Sequence, residues 1–129
     1  MPEMKKLLIV DNSIRLLEIM KRILERNGYI IKTLNHIEGI YEEINNFQPD
    51  LFILDTYLDR EDGREVCKKI KLDFHTRHLP VILYSAFPMD FENYRSFLAD
   101  DFMEKPFDIK TLVQKISTVL DHRPVSYYS

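Results

Sequence analysis

Short runs of nearly continuous apolar residues are the feature of this sequence that most restricts its fold. The clearest examples are LFIL at residues 51–54 and VILY at residues 81–84. A strand that is apolar at every position is typical of a parallel sheet whose two faces are both covered by helices. Five such runs occur, and the last is the weakest: residues 7–10, 29–34, 51–54, 80–84 and 101–103.

Segments with helical periodicity separate these runs. The apolar residues recur at helical spacing in Leu17, Met20 and Leu24, then in Ile37, Ile40, Tyr41, Ile44 and Phe47, and again in Ile109, Leu112, Val113, Ile116 and Leu120. Strands that alternate with helices pair in parallel through crossover connections. We therefore predict an α/β, flavodoxin-like (βα)5 fold, which is a doubly wound parallel sheet of five strands in the order 2-1-3-4-5.

The predicted domain is single and covers residues 1–122, followed by a short C-terminal tail over residues 123–129. Gly28 is expected to end the first helix. Asp62 and Asp108 are expected to cap the third helix and the last helix, because Asp is a preferred N-cap residue. The least regular segment lies between the fourth and fifth strands, where apolar residues at helical spacing allow a fourth helix.

Composition and charge exclude several classes of function. The net charge is −3 over 129 residues, whereas a general nucleic-acid surface needs clustered Lys and Arg. No apolar run approaches the roughly 20 residues that a membrane span needs, and the first residues do not resemble a signal peptide. The single cysteine, Cys67, cannot form an internal disulfide, which fits a reducing compartment. We expect a cytoplasmic protein that binds neither nucleic acid nor membranes.

Polar side chains follow four of the five predicted strands. They are Asp11 and Asn12 after the first strand, Asp55 after the third, Ser85 after the fourth and Lys105 after the fifth. The carboxyl ends of parallel strands meet at one edge of the sheet, so these side chains should lie close together. Carboxylates suit Mg²⁺, an ammonium and a hydroxyl bind phosphoryl oxygens, and a carboxylate can itself accept a phosphoryl group. The pattern predicts a site for Mg²⁺ and a phosphoryl group.

Four motifs at these positions resemble those of the response-regulator receiver family. They are LLIVDNS around Asp11, LFILDTYLDREDG around Asp55, VILYSA around Ser85 and FMEKPF around Lys105. The resemblance extends over about residues 4–121. It implies that Asp55 accepts a phosphoryl group from the phosphohistidine of a histidine kinase, that Ser85 binds a phosphoryl oxygen, and that Lys105 pairs with the aspartate or the phosphate.

The resemblance also implies a metal site and a switch. The Mg²⁺ ligands would be Asp11, Asn12, Asp55 and the backbone carbonyl of Tyr57. Phe102 lies where the family has its switch aromatic residue, beside the switch residues Ser85 and Lys105. By the same resemblance the Lys105–Pro106 peptide bond would be cis, an isomer that X–Pro bonds permit.

The chain departs from the family pattern at four positions. Asn12 replaces the second of two adjacent acidic residues, and Asp59 replaces a proline four residues after the acceptor. Tyr57 and Phe87 occupy the two positions that, in the family, tune how quickly the phosphoryl group is lost. Because both are large aromatic residues, we predict that they shield the phosphoryl group from water and slow its loss.

The predicted function is that of a single-domain response-regulator receiver, a signalling module and not an enzyme. Its expected partners are a sensor histidine kinase or a phosphotransfer protein, and a downstream protein that binds the face formed by the fourth helix, the fifth strand and the fifth helix. The alternative is a pseudo-receiver that binds proteins independently of phosphorylation because Asn12 disables the metal site. A phosphatase with an aspartyl nucleophile is less favoured, because it needs an Asp where this chain has Tyr57.

Overall fold

The computed structural model describes residues 3–87 and 94–121 of the chain. Its elements, labelled in chain order, are β1 Lys6–Val10, α1 Ile14–Arg26, β2 Ile30–Leu34, α2 Ile40–Phe47, β3 Leu51–Asp55, β4 Tyr57–Leu58, β5 Glu61–Asp62, α3 Gly63–Leu72, β6 Val81–Ser85, β7 Asp101–Glu104 and α4 Ile109–Asp121. None of these helices, within the residues described, is long and apolar enough to cross a membrane.

Five of the strands form a parallel sheet in the order β2-β1-β3-β6-β7. Counted along the main sheet, this is the predicted order 2-1-3-4-5, so the predicted fold is confirmed. The remaining two strands, β4 and β5, form a short antiparallel hairpin that the sequence did not predict. This hairpin lies directly between β3 and α3.

Both faces of the sheet are covered, as the continuous apolar strands predict. Alternate residues of β1, including Leu7 and Ile9, pack with α1 and α4 on one face, where Met20 and Ile116 are fully buried. The intervening residues, such as Leu8, pack with α2 and α3 on the other face. Because successive side chains in a strand point to opposite faces, each central strand supplies both cores.

The helix ends agree with the predicted caps. Asp62 accepts a hydrogen bond from the backbone N–H of Arg64 at 2.9 Å and caps α3. Asp108 accepts one from the backbone N–H of Thr111 at 2.6 Å, just before α4 begins. Helix α1 ends at Arg26, two residues before the predicted Gly28.

Two predicted helices differ from the structure. Helix α2 begins at Ile40, so Ile37 precedes it and only accepts, through its carbonyl, a hydrogen bond from the backbone N–H of Ile40. In the segment before β7, the structure has a single 3-10 turn at Tyr94–Phe97. Residues 88–93, which belong to the predicted fourth helix, lie outside the described residues, and so do residues 122–129. The domain boundary at residue 122 therefore stays a prediction.

Candidate functional site

The carboxyl ends of β1, β3 and β6 place three polar residues at one edge of the sheet. Asp55 is the last residue of β3 and Ser85 the last of β6, while Asp11 directly follows β1. The parallel register pairs Val10 with Leu54, which brings the two acidic residues after them side by side. All three polar residues are buried, and their exposed fractions are between 0 and 4%.

The ammonium of Lys105 connects the two carboxylates. Its Nζ lies 2.8 Å from Asp11 Oδ2 and 3.4 Å from Asp55 Oδ2. Lys105 follows β7 and reaches this point from the fifth strand of the sheet, as predicted. One positive charge therefore serves two buried negative charges, and the site keeps an excess of negative charge that attracts a cation.

Asp55 is the more perturbed of the two acids. Its burial and the nearby charge of Asp11 raise the pKa of the Asp55 carboxyl to about 6, although Lys105 opposes this shift. Its Oδ1 accepts a hydrogen bond from the backbone N–H of Tyr57 at 3.2 Å. Near neutral pH this carboxyl is mostly ionised, and the carboxylate form is the one that can act as a nucleophile.

The carboxylate of Asp11 accepts hydrogen bonds from three protein donors. Its Oδ1 accepts a hydrogen bond from the backbone N–H of Ser13 at 2.7 Å. Its Oδ2 accepts one from the hydroxyl of Tyr84 at 2.6 Å, in addition to the contact with Lys105. Ser13 in turn caps α1, because its Oγ accepts from the backbone N–H of Leu16 at 3.2 Å. Capping and site formation are thus divided between neighbouring residues of the LLIVDNS motif.

Tyr84 is the site residue that sequence reasoning missed. It lies within the apolar run of β6 and its ring packs in the core, so the pattern predicted only a buried strand residue. Its burial and the charge of Asp11 hold the pKa of its hydroxyl well above the usual value, so Tyr84 donates as a neutral phenol. The available signal was its position directly before Ser85, since a buried tyrosine hydroxyl generally finds a partner.

The loop after β6 is ordered around Ser85. Ser85 Oγ accepts a hydrogen bond from the backbone N–H of Phe87 at 3.0 Å. The Ser85 carbonyl accepts another from the backbone N–H of Lys105 at 2.7 Å, which joins β6 to the lysine that follows β7. The Lys105–Pro106 peptide bond is cis, as the family resemblance implied.

The two predicted shielding residues contact each other. The ring centroids of Tyr57 and Phe87 are 4.9 Å apart in an edge-to-face arrangement, and each residue is about half exposed, at 51% and 49%. Tyr57 is the first residue of β4, two positions after Asp55, and Phe87 lies two positions after Ser85. The two rings therefore meet across the segments that follow β3 and β6.

The turn between β4 and β5 explains one departure from the family pattern. Asp59 has a φ of +35°, in the left-handed region. A proline ring fixes φ at about −65°, so a proline could not occupy this position in the same turn. Gly63 follows the hairpin and donates its backbone N–H to the carbonyl of Thr56 at 2.8 Å. A Cβ at Gly63 would overlap the backbone carbonyl of Asp55, so the hairpin packs tightly behind the acid.

The two remaining predicted site residues are less buried than the acids. Asn12 is exposed beside the buried Asp11. Phe102 is half-buried on β7, where the Nζ of Lys115 lies 5.6 Å from its ring centroid. Lys115 also pairs with Asp101 at 3.4 Å, which connects α4 to β7 on this side of the molecule.

The oxygen atoms at this edge are those that Mg²⁺ prefers. Two buried carboxylates, a carboxamide and the backbone carbonyl of Tyr57 make an all-oxygen set, which suits a hard cation and not a soft one. Within residues 3–87 and 94–121, no group of three or more His, Cys, Asp or Glu residues could hold a metal ion. The set therefore has two acidic side chains and fits Mg²⁺ with less charge than three would supply.

Comparison with known proteins identifies the family. The family described as response regulator receiver domain matches residues 7–117. The chain belongs to this family. Receiver domains are signalling modules of two-component systems, and they generally bind Mg²⁺ at the site of phosphorylation.

The relatives of this receiver domain differ in length. The heme response regulator HssR of Staphylococcus epidermidis is 34% identical, over 88% of this chain but only 50% of its own length. The polar-differentiation response regulator DivK of Brucella anthropi is 30% identical, over 90% of this chain and 96% of its own. The chain thus spans about half the length of the curated relatives it first matches, one of which is named as a DNA-binding transcriptional regulator. The single-domain organisation and the absence of nucleic-acid binding stay predictions.

A solved structure agrees with the fold. The CheY-like receiver domain protein of Methanospirillum hungatei superposes with a TM-score of 0.83 and 25% identity, over 94% of this chain and 97% of that chain. The sheet order therefore belongs to a known receiver architecture.

Proposed function

We propose that this receiver domain accepts a phosphoryl group on Asp55 from the phosphohistidine of a sensor histidine kinase or a phosphotransfer protein. One observation carries the proposal: the ammonium of Lys105 lies within 3.4 Å of both Asp11 and Asp55 at the carboxyl edge of the sheet. Two buried carboxylates that share one cation provide a nucleophile together with an attraction for a divalent cation.

The transfer step follows from these positions. An oxygen of the Asp55 carboxylate attacks the phosphorus, the P–N bond of the phosphohistidine breaks, and the imidazole leaves with the electron pair of that bond. Lys105 and the hydroxyl of Ser85 are proposed to bind phosphoryl oxygens. Bound Mg²⁺ would neutralise charge on the phosphoryl oxygens. The residues proposed to hold it are Asp11, Asn12, Asp55 and the Tyr57 carbonyl.

The output of the switch is proposed to be a protein contact. Phe102, Asp101 and Lys115 join β7 to α4 through one cation–π contact and one ion pair. This surface belongs to the face predicted to bind a downstream partner. A net charge of −3 supports a protein partner over nucleic acid, and the composition supports a cytoplasmic location.

A pseudo-receiver is the second candidate, and the carboxamide of Asn12 favours it. With this residue in place of an acid, the site carries one negative charge fewer, which weakens the attraction for Mg²⁺. In that case the chain would bind its partners without being phosphorylated.

Intact mass spectrometry after treatment with acetyl phosphate separates the two candidates. Wild type in Mg²⁺ should gain one phosphoryl group, about 80 Da, and Asp55→Asn should gain none. Asp59→Asn is the matched control, because it makes the same change at an exposed position four residues away and should still be phosphorylated. Equal phosphorylation of the Asp55→Asn variant would refute the proposal, and no gain in any protein would favour the pseudo-receiver.

A further inference from the structure

Tyr84 is a core residue whose hydroxyl contacts a carboxylate proposed to bind Mg²⁺. The residue is fully buried, and its ring packs among core residues such as Ile82 and Met103. Its hydroxyl donates a hydrogen bond of 2.6 Å to Asp11 Oδ2. A phenylalanine would fill the same space, so the hydroxyl contributes this hydrogen bond and little else to the packing.

The hydrogen bonds of Asp11 leave little capacity for a cation. An ionised carboxylate has about four lone-pair sites. Oδ2 accepts from Tyr84 and from Lys105, and Oδ1 accepts from the backbone N–H of Ser13. Three of the four sites are therefore occupied by protein donors. A cation, or a water bound to it, has to use the last site or displace one of these donors.

The donors differ in how easily they can be displaced. The Ser13 N–H is part of the backbone at the start of α1, and the ring of Tyr84 is enclosed by the core. Lys105 has a flexible side chain with 19% of its surface exposed, so it can move away from Asp11. The hydroxyl of Tyr84 therefore stays in place when a cation arrives, and it continues to withdraw charge from Oδ2.

We propose that Tyr84 is a positioning residue that weakens cation binding at Asp11 by keeping one lone pair of its carboxylate permanently occupied. This inference rests on the proposed Mg²⁺ site. Asn12 already weakens cation binding from the exposed loop, and Tyr84 adds a second weakening effect from the core of the sheet. Both residues lower the affinity of the proposed site for Mg²⁺.

Removal of the hydroxyl alone should strengthen Mg²⁺ binding. In Tyr84→Phe the ring remains, and so does the contact of Lys105 Nζ with it, at 4.4 Å from the ring centroid. Oδ2 loses its neutral donor and becomes a stronger acceptor for a cation. Hydrogen bonds to charged groups are strong enough that we expect the dissociation constant for Mg²⁺ to fall about threefold to tenfold.

The test is a titration of the ¹⁵N-labelled full chain with MgCl₂, followed by NMR. The amide of Ser13 is a local reporter, because it donates to Asp11 Oδ1. Tyr41→Phe is the matched control, since it removes a hydroxyl from an exposed tyrosine on α2. Tyr84→Leu is a second variant that also removes the hydroxyl, and a thermal melt without Mg²⁺ verifies that each variant is folded.

Each outcome is decisive. Tighter binding in Tyr84→Phe or Tyr84→Leu, with no change in Tyr41→Phe, supports the role of Tyr84. Equal or weaker binding in the Tyr84 variants, when wild type binds Mg²⁺, overturns that role and leaves the proposed metal site intact. If neither wild type nor any Tyr84 variant binds Mg²⁺, the metal site and the role of Tyr84 are both wrong.

Discussion

Lys71 and Lys105 both contact carboxylates that are buried or partly buried, and the comparison separates an ion pair with balanced charges from one with an excess of negative charge. Lys71 Nζ lies 2.9 Å from Asp100 Oδ2 and donates to the carbonyl of Leu79 at 3.1 Å. The same carboxylate oxygen accepts from the backbone N–H of Val81 at 2.7 Å. One cation meets one anion, and the remaining bonds go to backbone groups that join α3 to the segments before β6 and β7.

The Lys105 cluster is buried to a similar degree, but its positive and negative charges are not balanced. Its ammonium serves Asp11 and Asp55 together, and the pKa of Asp55 is raised to about 6 in consequence of burial and of the second carboxylate. Burial alone therefore does not distinguish the two sites. The difference lies in the charge balance, because only the Lys105 cluster gains stability when a cation is added or a negative charge is removed.

The largest predicted effect comes from removing each lysine. Both Lys105→Met and Lys71→Met should lower the free energy of unfolding by about 3 kcal/mol in EDTA, since each leaves a buried carboxylate without its cation. Mg²⁺ should restore much of the loss in Lys105→Met only, because the cation can replace the ammonium between two acids. Urea unfolding with EDTA and with Mg²⁺ measures this. Equal recovery of both variants, or of neither, would contradict the comparison.

Removing one negative charge should have opposite effects at the two clusters. In EDTA near pH 7, Asp55→Asn should be more stable than wild type by about 1–3 kcal/mol, since each pKa unit corresponds to about 1.4 kcal/mol. Asp100→Asn should be less stable, because it leaves Lys71 unpaired. Both are measured by urea unfolding.

The raised pKa of Asp55 fixes the direction in which the stability of the fold should change with pH. The folded carboxyl has a pKa of about 6, above the unfolded value of about 3.9, so the folded state binds more protons between these values. The stability that Asp55 contributes is therefore present at low pH and is lost as pH rises through about 6. In Asp55→Asn, the free energy of unfolding should no longer decrease as pH rises through this range. If the decrease persists unchanged, another group is responsible.

A smaller effect is expected from restoring the missing acid. Asn12→Asp adds a negative charge beside Asp11 and should tighten Mg²⁺ binding by about 1 kcal/mol, or roughly fivefold, after desolvation offsets most of the Coulomb gain. The titration used for Tyr84 measures this directly. Asn46→Asp, at an exposed position on α2, controls for the change in net charge. Equal tightening in both variants would mean that the position of the charge is irrelevant.

The smallest effect concerns the lifetime of the phosphorylated state. Water that attacks an aspartyl phosphate needs an in-line approach, and the contacting rings of Tyr57 and Phe87 are predicted to obstruct it. Tyr57→Asn combined with Phe87→Glu should accelerate phosphate release about threefold, or about 0.7 kcal/mol in activation free energy. Phe74→Glu, at a more exposed phenylalanine, should leave the rate unchanged. Release at the wild-type rate in the double variant would assign the rings to partner binding instead.

The sequence predicted the sheet because its strands have a strong pattern. Runs such as LFIL and VILY are apolar throughout, and the polar residue after each run marks the carboxyl edge. The β4–β5 hairpin was missed because strands of two residues show no periodicity. The start of α2 was placed too early because Ile37 continues the apolar spacing while it packs against the same core from the preceding turn.

The charged residues of the site could be predicted from the sequence, but the hydrogen-bond donor Tyr84 could not. Asp11, Asp55 and Lys105 were expected at one edge, and the structure brings them together. Tyr84 could not be found in this way, since its partner Asp11 is 73 residues away and the bond depends on how deep the ring lies in the core. An apolar run tells where a strand is buried, but not which hydroxyl at its end reaches a carboxylate.

Gly63, which lies behind the proposed acceptor Asp55, tolerates substitution differently from the other two glycines. At Gly28 and Gly39 the surroundings are open, and only the backbone angles, φ +92° and +75°, favour glycine, so asparagine is a workable substitute. At Gly63 even one methyl group meets the peptide carbonyl of Asp55. The codon for Gly63 therefore has no workable substitute in this backbone, because the atom that glycine omits would occupy the space that the backbone of Asp55 needs.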